Sequence, residues 1–309
     1  MNPKSFRTGI TEHRQSVPRL RLFAVIATAL IISVFGSARR VAFGEPVGIP
    51  GAEIPGWGQV DEVFAQFVRP EGTATKVPAV LILHGSGGMD ARGAFYATAL
   101  REAGIATLEI RMFQFGGRPK EGPQATMPHA IAALRWLGKQ PDIDGKRLGV
   151  MGFSWGGMMT VLLSSELVQE CLGKDVPRPV AFAPLYPACS NIARSVKNPK
   201  SAYYNAQTWM STSPMLIHVG TKDDYEEGKH SCDALIATWP AAAREQVTVH
   251  YVEGATHAFD YQGPARQFFD PFAHGGRGGM VSIVPSPDNA NETRKAVISF
   301  FVKHLNSNR

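Results

Sequence analysis

Cysteine is scarce in this chain. Cys171, Cys189 and Cys232 are the only three in 309 residues. They allow one bridge with a thiol left over, or three buried small hydrophobes, and rule out a disulfide-framed scaffold. No group of His, Cys and Asp has metal-ligand spacing, so no metal site is expected. Net charge is also missing once the first 44 residues are set aside. They hold seven of the 32 Lys and Arg but one of the 26 acidic residues, and the remainder carries equal numbers of each. A nucleic-acid partner is therefore not indicated. The apolar stretch Leu22 to Gly36 has 15 residues, short of the about 20 that a spanning helix needs. Internal repeats and low-complexity tracts are absent.

What the chain does have begins with that leader. A basic segment ending at Arg21 precedes the apolar run, and small residues follow at Gly36-x-Ala38 and Ala42-x-Gly44. This is the layout of an export signal. Residues 1–44 are read as that signal, with an uncleaved membrane anchor through residues 22–36 as the alternative. Any membrane contact is expected through this segment alone. Residues 45–309 are read as one domain, long enough to bury a substantial core.

Residues 45–58 are rich in Pro and Gly and suggest an irregular lead-in. Val60 to Val68 suits an outer strand. Val77 to Leu83 is a continuous apolar run with Pro78 near its start and Gly85 just beyond its end, as in a strand buried on both faces. A helix is expected over Gly93–Ala103, a strand over Ile105–Ile110 and an amphipathic helix over Met127–Gly138. Strands follow at Arg147–Phe153, Val180–Leu185, Met215–Val219 and Val247–Val252, and a closing helix at Asn289–Leu305. Alternation at this spacing implies βαβ units and a largely parallel sheet. Two stretches, 186–213 and 260–287, show no element and are read as insertions that wall a substrate pocket.

The chemistry centres on Gly152-Phe153-Ser154-Trp155-Gly156-Gly157. A strand that ends in Gly-x-Ser-x-Gly and passes at once into a helix (expected at Met158–Leu167) presents a serine on a tight turn. A serine hydroxyl needs a base in hydrogen-bond reach and a carboxylate to orient that base. Such groups collect beyond the carboxyl ends of parallel strands. After Met215–Val219 comes Gly220-Thr221-Lys222-Asp223-Asp224, and after Val247–Val252 comes Glu253-Gly254-Ala255-Thr256-His257. His257 alone among the histidines follows a late strand and a glycine turn. Asp223 is preferred over Asp224 as the orienting acid. The oxyanion donors are expected to be the backbone N–H of Trp155 and that of Ser86, with Gly87 as the alternative, in Leu83-His84-Gly85-Ser86-Gly87-Gly88. Arg111, Phe113 and Phe115 after a central strand, together with Tyr186, are candidate substrate-binding residues, and Arg111 is equally suited to a structural ion pair.

The motifs Leu83–Gly88, Leu134–Leu137, Gly152–Gly157, Gly220–Asp224 and Gly254–Asp260 together resemble the dienelactone hydrolase family of the α/β-hydrolase superfamily. The resemblance covers roughly residues 60–305. It implies an α/β-hydrolase fold, with a mostly parallel central sheet and helices on both faces. It also implies acyl transfer through Ser154, His257 and Asp223, no cofactor, and a small-molecule ester as substrate. The family's namesake enzymes use a cysteine nucleophile where this chain has Ser154, which moves the expectation toward a serine esterase. In this fold Cys189 and Cys232 follow neighbouring strands, so any disulfide is expected to join them. A peptidase related to prolyl oligopeptidases, or a non-catalytic binding protein on the same scaffold, are the alternatives.

Overall fold

The computed structural model describes residues 44–306 except 55, 73–74 and 114–116. The expected leader and Phe115 lie outside the described residues. Among the described residues twelve strands are formed in chain order: β1 (Glu45–Ile49), β2 (Ala52–Ile54), β3 (Gly58–Val60), β4 (Val63–Val68), β5 (Val77–Leu83) and β6 (Ala106–Ile110), then β7 (Ile143–Phe153), β8 (Ala181–Leu185), β9 (Met215–Gly220), β10 (Val247–Val252), β11 (Arg266–Asp270) and β12 (Gly279–Ile283). Eight of them make one sheet in the order β1-β4-β6-β5-β7-β8-β9-β10. β1, β4 and β6 pair antiparallel. From β6 through to β10 every neighbour is parallel.

Parallel strands need crossovers, and the helices Ala91–Glu102, Met127–Gly138, Trp155–Leu163 and Pro287–Asn306 supply the cover on both faces. β5 shows the division. Ala79, Leu81 and Leu83 pack into the core shared with the helices Met127–Gly138 and Trp155–Leu163. Val80 and Ile82 face the other core, with Tyr96, Leu100, Val297 and Phe301 of the first and last helices. A strand buried on both faces has no polar side to alternate with, which is why its sequence is continuously apolar. β6 and β7 lie on opposite sides of β5, so the connections leaving β5 and β7 diverge there and open a crevice at the carboxyl edge.

Three expectations need correction. Residues 45–58 are not irregular: β1 pairs in register with β4, Glu45 opposite Phe67 through to Ile49 opposite Val63. Pro46 is tolerated because β1 is an edge strand. The helix after the elbow runs Trp155–Leu163, and a second short helix, Glu166–Cys171, follows it. The two insertions also have structure. The first contains the helices Cys189–Ser195 and Ala202–Ala206, and the second a hairpin of β11 and β12 in which Phe269 lies opposite Met280.

A disulfide joins Cys189 to Cys232, 43 residues apart, and ties the first insertion to the helix Ser231–Ile236. Closing a loop of that length restricts the unfolded chain by up to about 4 kcal/mol. The Cys189→Ala/Cys232→Ala double variant is therefore expected to unfold at lower denaturant concentration, with a loss approaching that figure. An unchanged midpoint would mean the bond adds nothing.

Candidate active site

Ser154 occupies the turn between β7 and the helix Trp155–Leu163 with φ 52° and ψ −106°. A side chain in the left-handed region is strained, and such strain persists where the surroundings over-determine it. Here they do. Ser154 N–H donates to Leu185 O at 3.0 Å, and its carbonyl accepts from Met158 N–H at 2.8 Å. The flanking glycines are needed for close approach: a Cβ on Gly152 would sit 2.2 Å from Gly156 O, and one on Gly156 2.0 Å from Leu83 O. No larger residue fits either position without moving the backbone.

The turn brings three side chains into one line. Ser154 Oγ lies 2.8 Å from His257 Nε2, and His257 Nδ1 lies 2.7 Å from Asp223 Oδ2. His257 and Asp223 are both buried. The other Asp223 oxygen accepts the backbone N–H of Tyr225 at 2.9 Å, so the carboxylate cannot turn away from the imidazole. Asp224 faces elsewhere. Its Oδ2 accepts Ser282 N–H at 2.8 Å and its carbonyl accepts His274 N–H at 2.7 Å, which fastens the β11–β12 hairpin.

Ser86 and Trp155 line the same cavity of about 270 Å³ as Ser154. The loop carrying Ser86 is held by His84, whose Nδ1 lies 2.7 Å from Gly85 O and whose Nε2 accepts Met112 N–H at 3.0 Å. Burial pushes the His84 imidazole down to about 4. It is thus neutral near pH 7, with Nδ1–H donating and Nε2 accepting. Gly88 N–H adds a second donor to Gly85 O at 3.0 Å. Because the peptide is planar and trans, fixing that carbonyl directs the Ser86 N–H to the opposite side. Gly156 N–H donates to His84 O at 3.1 Å, joining this loop to the elbow. The Trp155 indole donates to Thr126 Oγ1 at 3.1 Å, which anchors the start of the helix.

The other expected pocket residues lie elsewhere. Arg111 is exposed, with its guanidinium 4.8 Å over the Phe64 ring, and does not line the cavity. Phe113 packs edge-on against Trp155 and His84 from behind, with ring centroids at 5.4 and 4.8 Å. Tyr186 is fully buried and stands behind His257 rather than in the cavity. The walls come instead from Met158, Tyr203, Tyr225 and Phe272, with Arg118 at one side. Arg118 is already engaged by Asp270, at 2.9 and 3.2 Å. Tyr225 also donates to Asp270, at 2.9 Å. Sequence reasoning missed these residues. The available signal was for Tyr225 alone, two positions beyond the acid, where an Asp side chain commonly caps a turn.

The arrangement of elements and the strand-end placement of Ser154, Asp223 and His257 can be set beside known proteins. The family model of the dienelactone hydrolases matches residues 64–305. The chain belongs to the dienelactone hydrolase family. Its fold is that of the α/β-hydrolases, shared with two solved esterases. Est1E from Butyrivibrio proteoclasticus is 17% identical over 85% of this chain and 100% of its own, with a TM-score of 0.57. Esterase 2 of Thermogutta terrifontis is 14% identical over 85% of this chain and 95% of its own, with a TM-score of 0.60. An uncharacterized protein of Mycobacterium tuberculosis is 27% identical over 162 residues, which make up 49% of this chain and 58% of that relative. The matched region thus spans little more than half of that relative's length.

Proposed function

We propose that this member of the dienelactone hydrolase family is an exported serine hydrolase that cleaves small carboxylic esters through an acyl-enzyme. The observation that carries the reading is the unbroken line from Asp223 through His257 to Ser154, with contacts of 2.7 and 2.8 Å. Ser154 Oγ attacks the ester carbonyl while His257 Nε2 takes its proton. Asp223 holds the other ring nitrogen protonated and stabilises the imidazolium that forms. The developing oxyanion is met by the N–H groups of Trp155 and Ser86, each worth about 3–4 kcal/mol in the transition state. His257 then protonates the leaving alcohol, and water enters by the reverse sequence to release the acid.

Export is supported by the composition of residues 1–44 and by the Cys189–Cys232 bond, which persists in oxidising compartments. Organophosphorus reagents suit the site as probes, since the esterase of Thermogutta terrifontis is described as phosphorylated by paraoxon. The cavity of about 270 Å³, lined by Met158, Tyr203 and Phe272, suits short acyl groups. The test is a p-nitrophenyl ester series from acetate to laurate. The expected result is turnover that falls with acyl length, with a burst of nitrophenolate wherever deacylation limits. No turnover above buffer for any ester would overturn the reading.

A further inference from the structure

Behind His257, on the side away from the cavity, lies a buried array that acyl transfer does not use directly. Arg92 is buried between the carboxylate of Asp90, at 2.6 Å, and the Tyr186 hydroxyl, which accepts from Arg92 Nη1 at 3.0 Å. The same hydroxyl donates to Asp260 Oδ1 at 2.6 Å, and Tyr96 donates to Asp260 Oδ2 at 2.9 Å. Asp260 is fully buried and stands three residues beyond His257 on the same turn. Burial pushes its carboxyl up, against the pull of Arg92 and of the two phenol donors. An ionised array costs desolvation energy in the interior and carries a fold poorly unless every member is paired. Here each member is paired, and the Tyr186 hydroxyl joins Arg92 to Asp260.

That hydroxyl belongs to a residue with its own strain. Tyr186 has φ 38°, and its N–H donates to His218 O at 2.6 Å. The conformation turns the ring from the end of β8 onto His257, with centroids 4.9 Å apart and planes at 71°. Tyr225 lies against the imidazole as well, at 4.4 Å. The imidazole therefore sits between two tyrosines, each tied at its hydroxyl to a buried aspartate: Tyr186 to Asp260, and Tyr225 to Asp270. Only Tyr225 of the two lines the cavity.

We propose that Tyr186, anchored through its hydroxyl by Arg92 and Asp260, is a positioning residue that holds the His257 imidazole in line between Asp223 and Ser154. This rests on the hydrolytic reading above. The ring touches no substrate. It limits rotation of the imidazole about its hydrogen bond to Asp223, and a small misplacement of a catalytic group can cost about a hundredfold in rate.

The test compares wild type with Tyr186→Phe, which keeps the ring and removes the anchor, and with Asp260→Asn, which keeps the shape and removes the charge. Active-site titration with a fluorophosphonate counts competent molecules, so slower chemistry is separated from lost folding. Tyr186→Phe is expected to lower kcat per competent site by roughly tenfold to a hundredfold. KM should stay within about twofold, because the ring does not face the cavity. The rate at which the probe modifies Ser154 should fall in step with kcat. Asp260→Asn should show the same split, and where it fails to fold, Tyr186→Phe decides alone. A kcat for Tyr186→Phe within about twofold of wild type overturns the proposal, as does a raised KM with kcat unchanged. Wild-type chain left unmodified at Ser154 would instead overturn the hydrolytic reading itself.

Discussion

Ser154→Ala is expected to lower kcat for a p-nitrophenyl ester on the order of a millionfold, the scale seen when the nucleophile of a serine hydrolase is removed. The substitution deletes one oxygen and leaves the strained turn to be held by the same contacts, Ser154 N–H to Leu185 O and Met158 N–H to the residue 154 carbonyl. Alanine at φ 52° is no more strained than serine, so folding should survive and the loss should be chemical. Residual turnover would then come from water held near the Trp155 and Ser86 N–H groups, on the order of a thousandfold over the uncatalysed rate. Thermal melting of the variant beside wild type checks the folding, and steady-state kinetics check the rate. A loss of less than about tenfold would mean that Ser154 is not the attacking group.

Asp223→Asn should cost on the order of ten thousandfold in kcat, through a different cause. In the proposed mechanism the carboxylate, 2.7 Å from His257 Nδ1, accepts that nitrogen's N–H and so keeps Nε2, 2.8 Å from Ser154 Oγ, free to act as the base. An amide nitrogen presented to Nδ1 favours the opposite tautomer, with the proton on Nε2 and no base facing the serine. Asp224→Asn is the control one residue away. Its carboxylate accepts Ser282 N–H on the hairpin and makes no contact with His257. That variant should keep kcat within about tenfold and lose about 1 kcal/mol of stability, the usual worth of one hydrogen bond. Equal losses from the two variants would remove Asp223 from its special place.

Why Asp223 and Asp224 could not be separated fully from sequence is now plain in physical terms. Both sit on the turn after β9, and the choice depends on which carboxylate meets β10's following loop. That contact, with His257, is made across 34 residues. The elbow was easier to read. Its signal is local, consisting of a buried strand, two glycines demanded by backbone contacts near 2 Å, and a helix. Parallel core strands were legible for the same reason, since burial on both faces leaves an unbroken apolar run.

β1 was hidden because its partner is β4 and its own residues include Pro46 and Gly48, which look like a loop until the pairing is known. β11 and β12 were hidden because a two-stranded hairpin at the surface has little apolar periodicity. Phe269 and Met280 are exposed on it, and the helix-breaking stretch His274-Gly275-Gly276-Arg277-Gly278-Gly279 was the available clue. Tyr186 shows a limit of another kind. It follows β8 directly and its ring meets His257, but the side of His257 on which it lies depends on a backbone angle, φ 38°. Arg111 departs for a simpler reason: its aromatic partner Phe64 comes from β4, the strand next to the edge strand β1 and two places from β5.

The central claim is that Ser154 is a nucleophile activated by His257. Its most direct test is reaction of the full chain with a fluorophosphonate, followed by digestion and mass spectrometry of the peptide containing Gly152–Gly157. One adduct is expected, on Ser154, absent in Ser154→Ala and strongly slowed in Asp223→Asn. An adduct on another residue, or one equally abundant in Ser154→Ala, would contradict it.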